Sequence, residues 1–222
     1  MTALARWLVI VLLPVFLLLT NVRLVMSHTY VHWEYSKQDF PPAATISPAE
    51  RLSTALASLD FVRGQLSETE FRALEVDGQP AFNEREVRHM LDVRNVAARA
   101  SLVHILAGTL LTAALLLLAL RGRWAARALV AGSLTTVVSL LLIGLLAALS
   151  FDRFFALFHR LFFEGDSWIF EYNDTLIQLF PLPFWSDATL LITSATLTEA
   201  LLIGGLAGWR VQAASADDKP AL

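Results

Sequence analysis

The chain has no cysteine. Disulfides, thiolate metal sites, cysteine nucleophiles and lipidation of the protein itself are therefore excluded, although this absence identifies no compartment. No run of basic residues occurs, and the formal net charge of -3 is small, so nothing points to nucleic acid or another polyanion as partner. GxSxG, HExxH, Walker A and GxGxxG are all missing, which removes the common soluble-enzyme signatures. There is no internal repeat. "HTYVH" sets His28 and His32 four residues apart, but no further ligands are placed with them, so neither a metal nor a cofactor is expected.

What the chain has instead is apolar sequence in blocks. Hydrophobic residues make up 56% of it and the mean hydropathy is +0.57, against roughly 45–50% apolar residues, more scattered, in a soluble domain. About 20 mostly apolar residues suffice to cross a bilayer as helix, and four stretches qualify: Trp7 to Met26, Ser101 to Leu120, Ala128 to Ser150 and Ala188 to Trp209. The predicted fold is an all-α polytopic membrane protein with four transmembrane helices, a small helical extracytoplasmic cap and an interfacial amphipathic helix. Its plan is a first span within 1–27, an outer helical loop over 28–100, spans over 101–120, 128–150 and 188–209, a cytoplasmic loop over 121–127, a second outer segment over 151–187 and a cytoplasmic tail from 210. An uncleaved first span is expected, because no small-x-small cleavage site follows it. "RGRWAAR" carries Arg121, Arg123 and Arg127 without an acid, so both termini and this loop are expected in the cytoplasm. Arg6 and Arg210 agree. The tail "QAASADDKPAL" reads as disordered.

The first outer loop carries helix starts at Ser47, Ser67 and Asn83, each followed three residues later by glutamate, as in a capping box. The "VDGQP" stretch reads as a turn. The helix that starts at Asn83 should run unbroken into the second span, and it sets His89 and Asp92 three residues apart on one face. A carboxylate beside an imidazole can fix its tautomer and stabilise its cation. Equally, the pair can belong to a solvated face among Arg85, Arg88 and Arg94.

After the third span, Phe151, Phe154, Phe155, Phe158, Leu161 and Phe162 repeat at helical spacing. That pattern predicts a helix lying in the membrane interface, apolar side toward the acyl chains. His159 would sit on the side away from that stripe, with Asp152, held at the depth of lipid ester bonds and turned toward protein. The alternative is an imidazole that merely bonds a headgroup or a carbonyl. "GDSWIFEYNDTLIQLFPLPFWSD" then reads as a re-entrant wall: Gly165 and Asp166 turn the chain, Asn173 or Asp174 caps "TLIQLF", and Pro181 and Pro183 stop it. Trp168, Tyr172 and Trp185 suit a headgroup-level belt. Among polar residues within spans, Arg23 either snorkels or counters a substrate charge. His104 reads as a packed core histidine, and Glu199 as an interhelical hydrogen-bond partner.

"RHMLDVR" together with "FHRLFFEGDSWIFEYNDTLIQLFPLPFW" resembles the four-span bacterial membrane family that includes the lipoprotein intramolecular transacylase. The resemblance implies an acyltransferase of the bacterial cytoplasmic membrane with its active site at the outer leaflet. Its substrate would be a diacylated lipoprotein, whose sn-2 acyl chain moves from the S-diacylglyceryl cysteine to that cysteine's α-amine, giving the lyso form. By motif, the family's two essential histidines would correspond to His89 and His159. His159 is then assigned as base and His89, oriented by Asp92, as oxyanion donor or proton relay, with exchange of roles possible. Arg23, Asp174 and Trp168 are secondary candidates for orienting substrate. The rival readings are a non-catalytic membrane assembly module and a phospholipid-modifying enzyme using the same histidines.

Overall fold

The computed structural model describes residues 2–120, 124–163, 165 and 167–217. Arg121, Arg123, Glu164, Asp166 and the tail from 218 lie outside the described residues. As the sequence predicts, the described chain is helical, with one short hairpin as the exception. Helix α1 spans Thr2–Val25, α2 His28–Tyr35, α3 Pro48–Val62 and α4 Glu68–Arg72. The two-residue strands β1 (Glu75–Val76) and β2 (Gln79–Pro80) follow. Then come α5 (Glu84–Ala119), α6 (Trp124–Leu149), α7 (Phe151–Phe162), α8 (Thr175–Leu179) and α9 (Leu182–Asp217). Four helices are long and apolar enough to cross a membrane: α1, α5, α6 and α9.

Residues 2–22, 101–120, 124–149 and 191–217 form one compact unit, a bundle built on close backbone approach. A Cβ added at Gly132 of α6 would lie 3.0 Å from the Leu13 side chain and 3.2 Å from the Val9 carbonyl of α1. At Gly108 of α5 it would meet the Phe16 ring at 2.9 Å, and at Gly204 of α9 it would meet Ser133 of α6 at 2.9 Å. Small residues at contacts are what helix association in lipid calls for, since apolar side chains gain nothing by leaving tails of equal polarity. Polar bonds add to it. Asn21 of α1 donates to Thr196 Oγ1 at 3.0 Å and to Glu199 Oε2 at 2.9 Å on α9. His104 pairs with Thr20 at 2.9 Å and stacks on Phe16. Trp124 lies under the guanidinium groups of Arg6 and Arg127. The outward faces keep leucines such as Leu102, Leu116, Leu141 and Leu206 exposed, as a lipid-facing surface does.

Residues 23–100 together with the described residues of 150–190 form the second unit. The sequence reading treats the two outer loops as separate, a cap and a wall. They share one core instead: Tyr30, Val31, Phe61, Phe71, Phe82 and Met90 from the first pack with Leu176, Leu179 and Phe184 from the second. The capping signals act as their chemistry requires. Ser67 and Glu70 complete a reciprocal box on α4, and Ser47 accepts the Glu50 amide at the start of α3. Asp77 and Gly78 both have positive φ, the conformation an Asp-Gly hairpin turn needs.

Two boundaries differ from expectation. Pro183 falls in the first turn of α9, where a missing N–H costs nothing, so the Phe/Pro/Trp segment begins a helix as well as ending one. The "QAASAD" part of the tail is helical through Asp217 rather than disordered, in keeping with its alanines.

Candidate active site

Helix α7 starts at Ser150, whose hydroxyl accepts the Arg153 amide. His159 comes two turns later. Its Nδ1 lies 2.8 Å from the Phe155 carbonyl oxygen. A carbonyl oxygen only accepts, so Nδ1 carries the hydrogen and Nε2 is left with its lone pair. The helix ends immediately afterwards, with the Phe163 amide donating to the His159 carbonyl at 2.8 Å.

His89, on the second turn of α5, faces the same place. The two imidazole centroids are 6.0 Å apart, with the rings inclined by 23°. His89 is only 7% exposed and His159 9%. Phe163 touches both, at 4.9 Å and 5.4 Å between centroids. Phe170 closes the His89 side at 5.2 Å, and Phe155 and Trp168 close the His159 side at 4.1 Å and 5.1 Å. The His159 surroundings correct the expectation from spacing. Its ring sits among aromatics, while Asp152 of the same helix is exposed and Leu157, Phe158, Leu161 and Phe162 form the outward apolar face.

These surroundings set the charge state. Burial, reinforced by the neighbouring His159, pushes the His89 imidazole down to about 4; the residue precedes the apolar stretch of α5 that begins at Ser101. Burial also lowers His159, with the Phe155 carbonyl acting in the opposite sense. Both rings are therefore neutral near pH 7, which removes the cationic form of the oxyanion donor and leaves the neutral N–H form. His89 Nδ1 is buried without a hydrogen-bond partner among the described residues. Leaving such a group dry and unpaired costs stability, so it is a position at which a ligand atom is favoured.

The other sequence-derived candidates divide. Trp168 is at the site, and its indole Nε1 donates to the Gly165 carbonyl at 3.2 Å, which fixes the ring against His159. No hydrogen bond or ion pair joins Asp92 to His89 among the described residues, so the expected direct orientation of the imidazole by this carboxylate is not present. The His89 ring turns into the aromatic cluster, and Asp92 instead lines a cavity of about 880 Å³ that also has Phe163 in its wall. Asp174 is the N-cap residue of α8 but makes no side-chain bond to its own helix. Its carboxylate takes Arg85 Nη2 at 2.6 Å, Asn83 Nδ2 at 2.9 Å and the Glu171 amide at 2.7 Å. Arg23 is exposed at the end of α1, without a hydrogen bond or ion pair among the described residues. His28 bonds Asp60 at 2.7 Å, and no group of three or more His, Cys, Asp or Glu residues is placed to hold a metal ion among the described residues.

Glu86 is the participant that sequence reasoning underused. Its expected box with Asn83 is present, since Glu86 Oε2 accepts the Asn83 amide at 2.9 Å. The other oxygen accepts the Leu176 amide at 2.8 Å. One carboxylate, 2% exposed and with its pKa raised by burial, thus caps α5 and also the start of α8. The i−3 spacing to His89 was legible; the second acceptor role was not.

The model of the family described as "Lipoprotein intramolecular transacylase Lit" matches residues 7–185. An uncharacterized protein of Aquifex aeolicus (strain VF5) is 29% identical over 206 residues, 91% of this chain and 93% of that protein. The in meso structure of the membrane integral lipoprotein intramolecular transacylase Lit from Bacillus cereus superposes with a TM-score of 0.78 at 21% identity, covering 97% of this chain and 98% of the other. Another structure of that protein, with one histidine replaced by arginine, gives 0.65 at 20% identity, covering 98% and 95%. At these identities the structural likeness speaks for the fold.

Proposed function

The chain belongs to the lipoprotein intramolecular transacylase family and is a membrane-integral enzyme, and from that premise we propose the reaction it performs. It moves the sn-2 acyl chain of an S-diacylglyceryl-cysteine lipoprotein onto that cysteine's own α-amine, leaving the N-acyl, S-monoacylglyceryl form. The observation that carries this reading is the buried pair of neutral imidazoles 6.0 Å apart, one of them with Nε2 unengaged among the described residues.

Donor and acceptor belong to one molecule, so no enzyme nucleophile is needed, in keeping with a chain that has no cysteine. The unprotonated α-amine attacks the sn-2 ester carbonyl carbon, and the N–C bond forms. His159 Nε2 takes the proton that the nitrogen loses. A His89 N–H supports the tetrahedral oxyanion, and the water-poor aromatic wall strengthens that hydrogen bond. The C–O bond to glycerol then breaks as the His159 imidazolium returns the proton to the departing sn-2 oxygen. The enzyme ends in its starting protonation state. Holding amine and ester in contact can supply up to about 7–11 kcal/mol of the barrier through proximity alone. Phe163 packs against both rings and lines them on one side, and Trp168 buttresses His159.

Arg6, Arg127 and Arg210 lie at one set of ends of the apolar helices, so the termini are read as cytoplasmic under the positive-inside rule. His159 follows the end of α6 by ten residues, which fits a site at the outer leaflet, level with glycerol esters, in a bacterial cytoplasmic membrane. Its substrate arrives through the bilayer.

Mass spectrometry of the N-terminal lipopeptide from cells with and without this protein tests the proposal. One acyl chain should migrate to the amine, and His159→Ala and His89→Ala should each abolish the migration. Unaltered lipopeptides alongside altered phospholipids would replace this reading with a phospholipid enzyme, and an unchanged lipid complement would leave a binding module.

A further inference from the structure

The cavity beside the histidine pair has a charge pattern that the chemistry above does not use. Arg88, Asp92, Asn95 and Arg99 of α5 line it at spacings of three and four residues, so one helix face supplies all of them; Phe163 and Ser167 of the second outer segment line the opposite side. Two further lining groups are already engaged: Arg85 by Asp174 and Glu84 by Arg72. Arg88, Asp92 and Arg99 have no hydrogen bond or ion pair among the described residues. Ser167 Oγ, in the same wall, is buried with no partner among the described residues. A half-buried carboxylate flanked by two uncommitted guanidinium groups and an unpaired hydroxyl is an assembled but unsatisfied polar surface. It opens against Phe163, which touches both imidazoles.

The mixed signs select the ligand. A phosphate or other simple anion between Arg88 and Arg99 would meet Asp92, and a lone metal cation at Asp92 would meet two arginines. A peptide N-terminus fits both: its first atom is an ammonium, and the atoms that follow are carbonyl acceptors. Arg88 lies one turn from Asp92, on the side away from the apolar stretch, about 6 Å along the axis. That is the reach of roughly two extended residues at about 3.3 Å each. We propose that this cavity seats the lipoprotein's N-terminal peptide, with Asp92 receiving the cysteine α-ammonium and Arg88 the first main-chain carbonyls beyond it. The inference rests on the transacylase reading and deepens it. Asp92 holds the nitrogen as it arrives, and it faces positive charge there again when that nitrogen adds to the ester carbonyl. Before it adds, the ammonium gives one proton to solvent at the mouth of the cavity; the second proton, lost after addition, leaves by way of the imidazole.

Two synthetic ligands test it against the full-length protein in phosphatidylglycerol nanodiscs. One is an S-diacylglyceryl-cysteinyl peptide with a free amine; the other is its N-acetylated, unreactive counterpart. Kinetics give KM for the first and the inhibition constant for the second, and direct binding to the His159→Ala protein gives both affinities without turnover. Asp92→Asn should raise KM for the free-amine ligand about tenfold, the loss of one desolvated charge-assisted bond, while kcat falls less. The inhibition constant of the N-acetylated ligand should stay within about twofold, because it presents no ammonium. Asp92→Glu should recover most of the discrimination. Arg88→Gln should weaken both ligands alike.

Parallel weakening of both ligands by Asp92→Asn would overturn the assignment, as would no change in either. Phosphatidylethanolamine competing with the free-amine ligand in the wild type, and losing that competition in Asp92→Asn, would assign the cavity to a phospholipid headgroup and overturn it as well. Absence of acyl transfer in the wild type would remove the transacylase reading alone. The binding comparison in the His159→Ala protein would still report whether Asp92 selects an ammonium.

Discussion

A neutral histidine pair inside an aromatic wall should make the protein selectively sensitive to acid, and the size of the effect follows from His89. Its imidazole titrates near 6.5 in an unfolded chain and at about 4 in the fold. Between those values the unfolded state binds the proton and the folded state does not. Stability is therefore intact above about pH 6.5 and is lost as pH falls toward 4. Integrating proton uptake over that window gives a loss of about 2 kcal/mol at pH 5, approaching roughly 3 kcal/mol below pH 4. For a chain of this size 2 kcal/mol corresponds to a shift of about 4–8 °C. The measurement is a melting curve in detergent at half-unit steps from pH 7.5 to 4.5, for the wild type and for His89→Gln. Other groups titrate in both proteins, so the difference between them is the informative quantity. The wild type should lose about 2 kcal/mol relative to the variant by pH 5. His159, whose pKa burial also lowers, is present in both proteins and so largely cancels in that difference. Parallel curves, within about 0.5 kcal/mol across the range, would mean that the His89 imidazole is solvated or already charged. The neutral-pair chemistry would fall with that result.

Three further perturbations test the framework around the site. Glu86→Ala leaves the Asn83 and Leu176 amides without their acceptor and should cost about 3–5 kcal/mol, with faster hydrogen exchange at the start of α8 than at α3; equal exchange at both would refute the second cap. Lys37→Met strips the ammonium 2.8 Å from Glu34 and 2.6 Å from Asp187. Burial already raises the pKa of Glu34, so the variant should melt nearest to wild type at low pH, where that carboxyl is protonated, and fall away as pH rises; a pH-independent deficit would count against it. Gly132→Val drives a branched side chain into Leu13 and the Val9 carbonyl and should cost about 1–3 kcal/mol through overpacking, read as a lowered melting temperature, whereas Gly144→Ala, inside the same helix with nothing within 4 Å, should raise it slightly through helix propensity.

Much of this architecture can be read without coordinates because the bilayer imposes a coarse demand: long apolar runs must be helices, and short loops sort by charge. The caps at Ser47, Ser67 and Asn83 are equally legible, since each is a local contact of three residues. His89 and His159 stand out as titratable groups in apolar company, but their convergence does not follow from either motif alone. Their separation is a tertiary fact. Spacing also misleads where a side chain can turn: Asp92 is three residues from His89, yet the imidazole follows Phe163 and Phe170 inward while the carboxylate stays with the cavity. The same holds for Asp174, whose position marks a helix start but whose oxygens serve Arg85 and Asn83.

A reciprocal exchange of carboxylate bonds explains how two distant stretches of chain bring their rings into register. The first turn of α5 and the start of α8 each use an acid from the other: Glu86 accepts the Leu176 amide, and Asp174 accepts Arg85 and Asn83. Hydrophobic contact alone would let α8 slide along α5, because apolar packing is non-directional. Hydrogen bonds, one of them to a backbone amide, fix both position and direction. Once α8 is fixed, Phe170, four residues ahead of Asp174, is brought to within 5.2 Å of His89, and the chain between α7 and α8 has little freedom left. Phe163 and Trp168 are thereby held against His159. The polar exchange thus decides where the aromatic wall stands, and the wall, by excluding water, decides that both imidazoles stay neutral. The proposed nucleophile-free transfer therefore depends on Glu86 and Asp174 holding the two loops in place.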